Sequence, residues 1–149
     1  MTQTGLFCSN IKRVTNRPDI EDRLKEADLR PTRQRVALGS LLFDGGDRHV
    51  SAELLHEEAV RQQIPVSLAT VYNTLHQFTQ SGLLREIAVE GSKSYFDTNT
   101  SDHHHFFVEN EGMIMDIGQG VSVEGIPEPP EGMEVTHVDV VVRLRRKVG

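Results

Sequence analysis

Ser67-Leu68-Ala69-Thr70-Val71-Tyr72-Asn73-Thr74-Leu75-His76-Gln77-Phe78-Thr79-Gln80-Ser81-Gly82 carries two chemically different faces at helical spacing. Leu68, Val71, Tyr72, Leu75 and Phe78 recur every three or four positions, the stripe that an amphipathic helix buries. Ser67 offers a hydroxyl to cap the first turn, and Gly82 a residue able to close the last. The other face presents Thr70, Asn73, Thr74, Gln77 and Gln80, uncharged side chains that both donate and accept hydrogen bonds. Just upstream, Ser51 caps a shorter helix with Ala52, Leu55 and Ala59 on its apolar stripe, ending at Gln62 or Gln63 ahead of Pro65. Two helices joined by a turn of about four residues, the second offering groups suited to base edges, form a helix-turn-helix pattern. The competing reading is the polar surface of an ordinary helical bundle.

The flanks extend this pattern. Toward the N-terminus, Thr32 caps a helix carrying Val36, Ala37, Leu38, Leu41, Leu42 and Phe43, which stops at Asp44-Gly45-Gly46-Asp47. Before it, Ile20, Leu24, Ala27 and Leu29 predict a first helix over 19–30, ended by Pro31. Residues 1–18 lack an apolar period and read as a flexible arm. Arg13, Arg17, Arg30, Arg33 and Arg35 are placed to grip phosphates. Toward the C-terminus, residues 83–89 and 94–96 flank Glu90-Gly91-Ser92-Lys93 as a β-hairpin. A hairpin directly after the second helix is the wing of a winged helix, with Lys93 at its tip.

Beyond residue 97 the character changes. Residues 103–108 and 113–117 flank Asn110-Glu111-Gly112 as a second hairpin, and 135–144 is strongly β-branched. Pro127, Pro129 and Pro130 make 118–132 a poor helix. The fold expected is α+β: a winged helix over 19–97, then over 98–149 a small domain built on an antiparallel sheet whose open edge or face is expected to meet a second chain. Net charge is −6, which reads against nucleic acid until it is divided. Residues 1–35 hold 8 Lys and Arg against 5 Asp and Glu, whereas 91–149 hold 5 against 10. The lone cysteine, Cys8, excludes an intramolecular disulfide and a four-cysteine zinc clamp. Without a long apolar run or an apolar leader, the expectation is a cytoplasmic protein with no membrane partner.

His103-His104-His105 is the chemically distinctive run. In an extended strand, His103 and His105 point to one side and His104 to the other. Asp97 and Asp116 lie within reach of the first pair, and His137 with Glu124 or Asp102 within reach of His104. Imidazoles and carboxylates without thiolate suit Fe(II), Mn(II) or Zn(II). A solvated histidine loop and a hydrolytic metal site are the rival readings. No His-Glu-x-x-His helix, nucleophile elbow or phosphate loop supports an enzyme.

His49-Val50-Ser51-Ala52-Glu53, then Leu68-Ala69-Thr70-Val71-Tyr72 with Leu75, Gly82, Asp97 and the histidine run, resemble the ferric uptake regulator superfamily over about residues 20–145. The resemblance implies a homodimeric regulator: a winged helix reading an AT-rich, pseudo-palindromic operator in double-stranded DNA, a C-terminal α/β dimerisation domain, and a metal site at the hinge. The hinge ligands then fall on His49, Asp97, His103, His105 and Asp116, holding Fe(II) or Mn(II), with Zn(II) a substitute in vitro. Thr70, Tyr72, Asn73 and Gln77 are the implied DNA contacts beside Arg13, Arg17, Arg33 and Lys93. Tyr72 is expected at the DNA surface or at the edge of the helix packing. The family's usual Cys-x-x-Cys pairs are absent, and 108–112 reads Val-Glu-Asn-Glu-Gly. That departure, with the three histidines, resembles the iron response regulator branch, which implies haem as a second ligand. His103, His104 and His105 are then haem candidates, and His104, Glu124 and His137 a second metal or haem site. Cys8 is followed by serine, so a Cys-Pro haem motif is incomplete. A peroxide sensor using the same hinge ligands is the alternative within the family.

Overall fold

A computed structural model describes residues 20–90 and 93–148, with backbone alone for Glu90 and Lys93. The expected arm, with Cys8, Arg13 and Arg17, and the side chain of Lys93 lie outside the described residues. The chain divides into two compact units, Met1–Thr100 and Ser101–Gly149.

The first unit runs α1 (residues 20–26), α2 (Arg33–Phe43), β1 (His49–Val50), α3 (Ala52–Arg61), α4 (Leu68–Gln80), β2 (Arg85–Glu90) and β3 (Lys93–Asp97). Each of three helices starts on the hydroxyl the sequence offers. Thr32 Oγ1 accepts the Arg35 N–H at 3.3 Å, Ser51 Oγ the Leu54 N–H at 3.2 Å, and Ser67 Oγ the Thr70 N–H at 3.1 Å. Three helix ends share one solution, a left-handed residue followed by an amide that reaches back five positions. It is Gly82 (φ 85°) with Leu83 N–H to Phe78 O, Gln63 (φ 58°) with Ile64 N–H to Ala59 O, and Asp28 (φ 59°) with Leu29 N–H to Leu24 O. The last of these stops the first helix before Ala27, short of the expected Arg30.

Ile20, Leu24, Leu38, Leu42, Leu55, Val71, Leu75, Phe78 and Phe96 bury completely and form the core of this unit. Fully burying each large apolar side chain contributes about 1.5–3 kcal/mol. The α4 stripe departs from expectation at its first residue, Leu68, which is 37% exposed, whereas Tyr72 lies at the margin of the core as expected. Thr74, expected on the polar face, is buried and donates its hydroxyl to Thr70 O at 2.8 Å. That intrahelical bond lets a threonine enter the core with its polar group satisfied.

The strands form an antiparallel sheet ordered β1-β3-β2, with a bulge between Ala88 and Glu90. The hairpin matches the expected wing, but β1 was not anticipated. It is two residues long and has too few positions to show alternation.

The second unit holds β4 (His104–Val108), β5 (Met113–Ile117) and β6 (Val141–Leu144), ordered β5-β4-β6. The β4–β5 hairpin is antiparallel as expected, with left-handed Asn110 (φ 69°) and Gly112 (φ 62°) in its turn. The antiparallel expectation fails for β6, which runs parallel to β4, so this sheet is mixed. Parallel pairing needs a long return, and residues 118–140, without helix or strand, supply it. The strand expected over 135–144 shortens to its last four residues.

Candidate functional site

Antiparallel register sets His49 directly opposite Asp97. Their Nε2 and Oδ2 atoms lie 3.1 Å apart, with 16% and 1% of the side chains exposed. The other oxygen, Oδ1, accepts the Asn99 N–H at 2.9 Å, which fixes the carboxylate plane. A fully buried carboxylate is costly unless it meets donors or positive charge.

Arg48, next in the chain, holds this strand in place. Its N–H donates to Thr98 Oγ1 at 2.8 Å, and the Thr98 N–H returns to Arg48 O at 3.1 Å. Its guanidinium forks onto Glu58 at 2.8 and 2.6 Å and reaches Leu41 O at 3.1 Å. This pairing holds the Glu58 carboxyl below the ordinary glutamate range and raises the Arg48 guanidinium further. The sequence reading missed this clamp, because Arg48 and Glu58 stand ten positions apart on different elements.

The second unit gathers a comparable set. β4–β5 register puts His105 opposite Asp116. Asp116 Oδ1 lies 3.3 Å from His103 Nε2 and 3.4 Å from His105 Nε2, and the two rings meet edge to face with centroids 4.4 Å apart. His103 Nδ1 faces Ser101 O at 2.6 Å. A carbonyl only accepts, so Nδ1 carries a hydrogen and Nε2 is the ring atom turned toward the carboxylate oxygen. Donor atoms about 2.1 Å from one ion lie roughly 3.0–3.5 Å from each other, a spacing that all three measured pairs satisfy. The Ser101 carbonyl on the far nitrogen is also the orienting bond that metal-ligating histidines have. Each cluster thus fits a borderline divalent ion in donor type and spacing.

His104 points elsewhere, its Nδ1 accepting the Val140 N–H at 3.2 Å. His137 Nε2 faces Asp139 Oδ2 at 3.2 Å, and Glu124 is exposed in 118–140. Among the described residues, His104, Glu124 and His137 are not gathered into a ligand cluster.

On α4 the expected contact residues differ in availability. Asn73 is exposed, whereas the Thr70 hydroxyl is shared with Ser67 Oγ at 2.9 Å. Tyr72 donates its phenol to Glu53 Oε1 at 2.6 Å, and that bond to an anion raises the phenol above its ordinary range. Gln77 Oε1 accepts from Arg35 Nε at 3.2 Å and Nη2 at 2.9 Å, while Arg33 is exposed. Of these, Arg35, Thr70, Asn73 and Gln77 line a cleft of about 290 Å³.

The family model described as "Ferric uptake regulator family" matches residues 26–143. The peroxide operon regulator of Bacillus subtilis is 37% identical over 119 residues, which cover 78% of this chain and 81% of that protein. The transcriptional regulator FurA of Mycobacterium tuberculosis is 38% identical over 102 residues, 67% of each chain. The solved ferric uptake regulator from Pseudomonas aeruginosa with manganese superposes with a TM-score of 0.65 at 24% identity, covering 87% of this chain and 98% of that one. The Vibrio cholerae ferric uptake regulator gives 0.67 at 22% identity, covering 85% and 98%. These two structural likenesses speak for the fold.

Proposed function

The chain belongs to the ferric uptake regulator family, and from that premise we propose that it is a homodimeric regulator that reads double-stranded DNA in response to a divalent metal. Members of the family are regulators, which sets aside the metal-dependent hydrolase. α4 and the β2–β3 hairpin form the reading head for an AT-rich, pseudo-palindromic operator. The second unit dimerises. His49, Asp97, His103, His105 and Asp116 act as one ligand set for Fe(II) or Mn(II). What supports joining the two half-sites is their shared donor chemistry and the six-residue separation of Asp97 from His103 along the chain. A bound divalent cation supplies the positive charge that the two carboxylates need. The protein's part is to orient the ligands: Ser101 O sets the His103 tautomer, Asn99 N–H turns Asp97, and the Arg48–Glu58 clamp holds the strand of His49. The observation that carries the reading is the convergence of His103 and His105 on Asp116 Oδ1.

The test is DNA binding by metal-free full chain titrated with Mn(II) and, without oxygen, Fe(II), at fixed salt because phosphate contacts make affinity salt-dependent. The reading expects metal to raise affinity at least tenfold, and His103→Ala and His49→Ala each to remove that response while keeping the helical circular dichroism. Metal-independent binding, or a response that survives both substitutions, overturns it.

Similarity to the peroxide operon regulator favours a second reading, peroxide sensing at the same ligands. Its readout is 2-oxo-histidine at His49 or His103, by mass spectrometry after peroxide treatment of the Fe(II) form. Haem, implied by the iron response regulator resemblance, is read by its absorbance: His104 would coordinate through Nε2, since Nδ1 takes the Val140 N–H. A His103→Ala, His104→Ala double variant with unchanged haem spectra and operator release removes haem from the mechanism.

A further inference from the structure

The Arg35–Gln77 pair gives the reading head a chemical bias that follows from donor and acceptor counting. Arg35 sits on α2 and Gln77 on α4, and the guanidinium is itself anchored through Nη1 to Arg30 O at 2.9 Å. Its Nε and Nη2 both donate to the single amide oxygen of Gln77, at 3.2 and 2.9 Å. A guanidinium has donors and no acceptor, so the amide oxygen, never the nitrogen, faces it. Both lone pairs of that oxygen are taken. What Gln77 has left for the cleft lined by Thr32, Thr70 and Asn73 is its NH2 group.

We propose that Arg35 is a positioning residue that turns Gln77 into a donor-only reader, an inference that rests on the DNA-reading role proposed above. A glutamine that recognises adenine does so with both ends of its amide, donating to N7 and accepting from N6. With its oxygen held, Gln77 loses the accepting half. It favours base edges that present acceptors, guanine O6 and N7 or thymine O4, and meets the amino groups of adenine and cytosine with a donor. Releasing the oxygen restores the adenine contact, and a good bidentate contact discriminates by roughly 5- to 150-fold.

The experiment uses full-length, Mn(II)-loaded protein and selection from randomised duplex DNA, followed by competition binding at one salt concentration. The proposal expects Arg35→Ala to gain adenine at one symmetry-related pair of positions. Gln77→Ala should flatten preference at those same positions, and the double variant should add nothing to Gln77→Ala. If Arg35→Ala loses its helical circular dichroism, Arg35→Lys replaces it, because one ammonium leaves a lone pair of the amide oxygen available and the adenine gain should be partial. An Arg35 variant that selects the wild-type bases and merely weakens binding at every sequence overturns the proposal, because Arg35 is then a phosphate contact. Failure of the wild-type protein to select any sequence overturns the DNA-reading role instead, so the two failures are distinct.

Discussion

Arg48 contributes through its neighbours. Its guanidinium is taken up by Glu58 and Leu41 O, and its backbone by Thr98, so the candidate ligand beside it inherits a fixed strand. Glu58 is held below its ordinary range, so its stabilisation is complete above the unfolded carboxyl value and disappears as pH falls through the lower folded one. Glu58→Gln should cost about 1–2 kcal/mol at pH 7, since the pair is only partly exposed. Urea midpoints should show that gap at pH 7 and show it narrowing below about pH 4.3. If the gap is the same at both pH values, the ion pair is not its source. Arg33, exposed at the start of α2, tests phosphate contact by a different readout. Arg33→Ala should weaken every DNA sequence alike and reduce the log–log salt slope by about 1. An unchanged slope takes Arg33 off the interface.

Helix α4 is set by its two ends as much as by its stripe. Ser67→Ala removes the cap and should cost about 1 kcal/mol. Gly82→Ala meets no neighbouring atom within 4 Å, so its cost is purely that of a left-handed alanine, about 1–2 kcal/mol. Thermal denaturation of both variants should show comparable losses. A neutral Gly82→Ala would mean that the helix end relaxes to another conformation. Gly39 in α2 is a different case, because a Cβ there would lie 3.0 Å from Ile20 Cγ2, a fully buried neighbour with little room to give. Gly39→Ala should therefore destabilise, although alanine is the better helix former by about 1 kcal/mol.

The ligand set proposed above would make metal a stabiliser of the folded chain. Metal at 100 times its dissociation constant should add about 2.7 kcal/mol to unfolding in urea. Asp116→Asn should lose most of that gain while unfolding normally without metal, because Asp116 is 42% exposed and contributes little to the core. A full metal gain in Asp116→Asn would exclude its carboxylate from the site.

Wherever a neighbour in sequence does the work, the chain announces its structure: the hydroxyls of Thr32, Ser51 and Ser67, the stripe of Val71, Leu75 and Phe78, the hairpin after Gly82, and the side-to-side alternation of His103, His104 and His105. Those are short-range effects of capping, periodicity and pleat. Contacts between distant positions were hidden. β1 is recognisable only through its pairing with β3, β6 takes its direction from β4, and Thr74 could enter the core only because the Thr70 carbonyl received its hydroxyl. The same holds for the two pairings that matter most to the candidate sites, His49 beside Asp97 and Arg35 on Gln77. Each joins residues more than 40 positions apart, where nothing local records the register or packing that brings them within hydrogen-bonding distance.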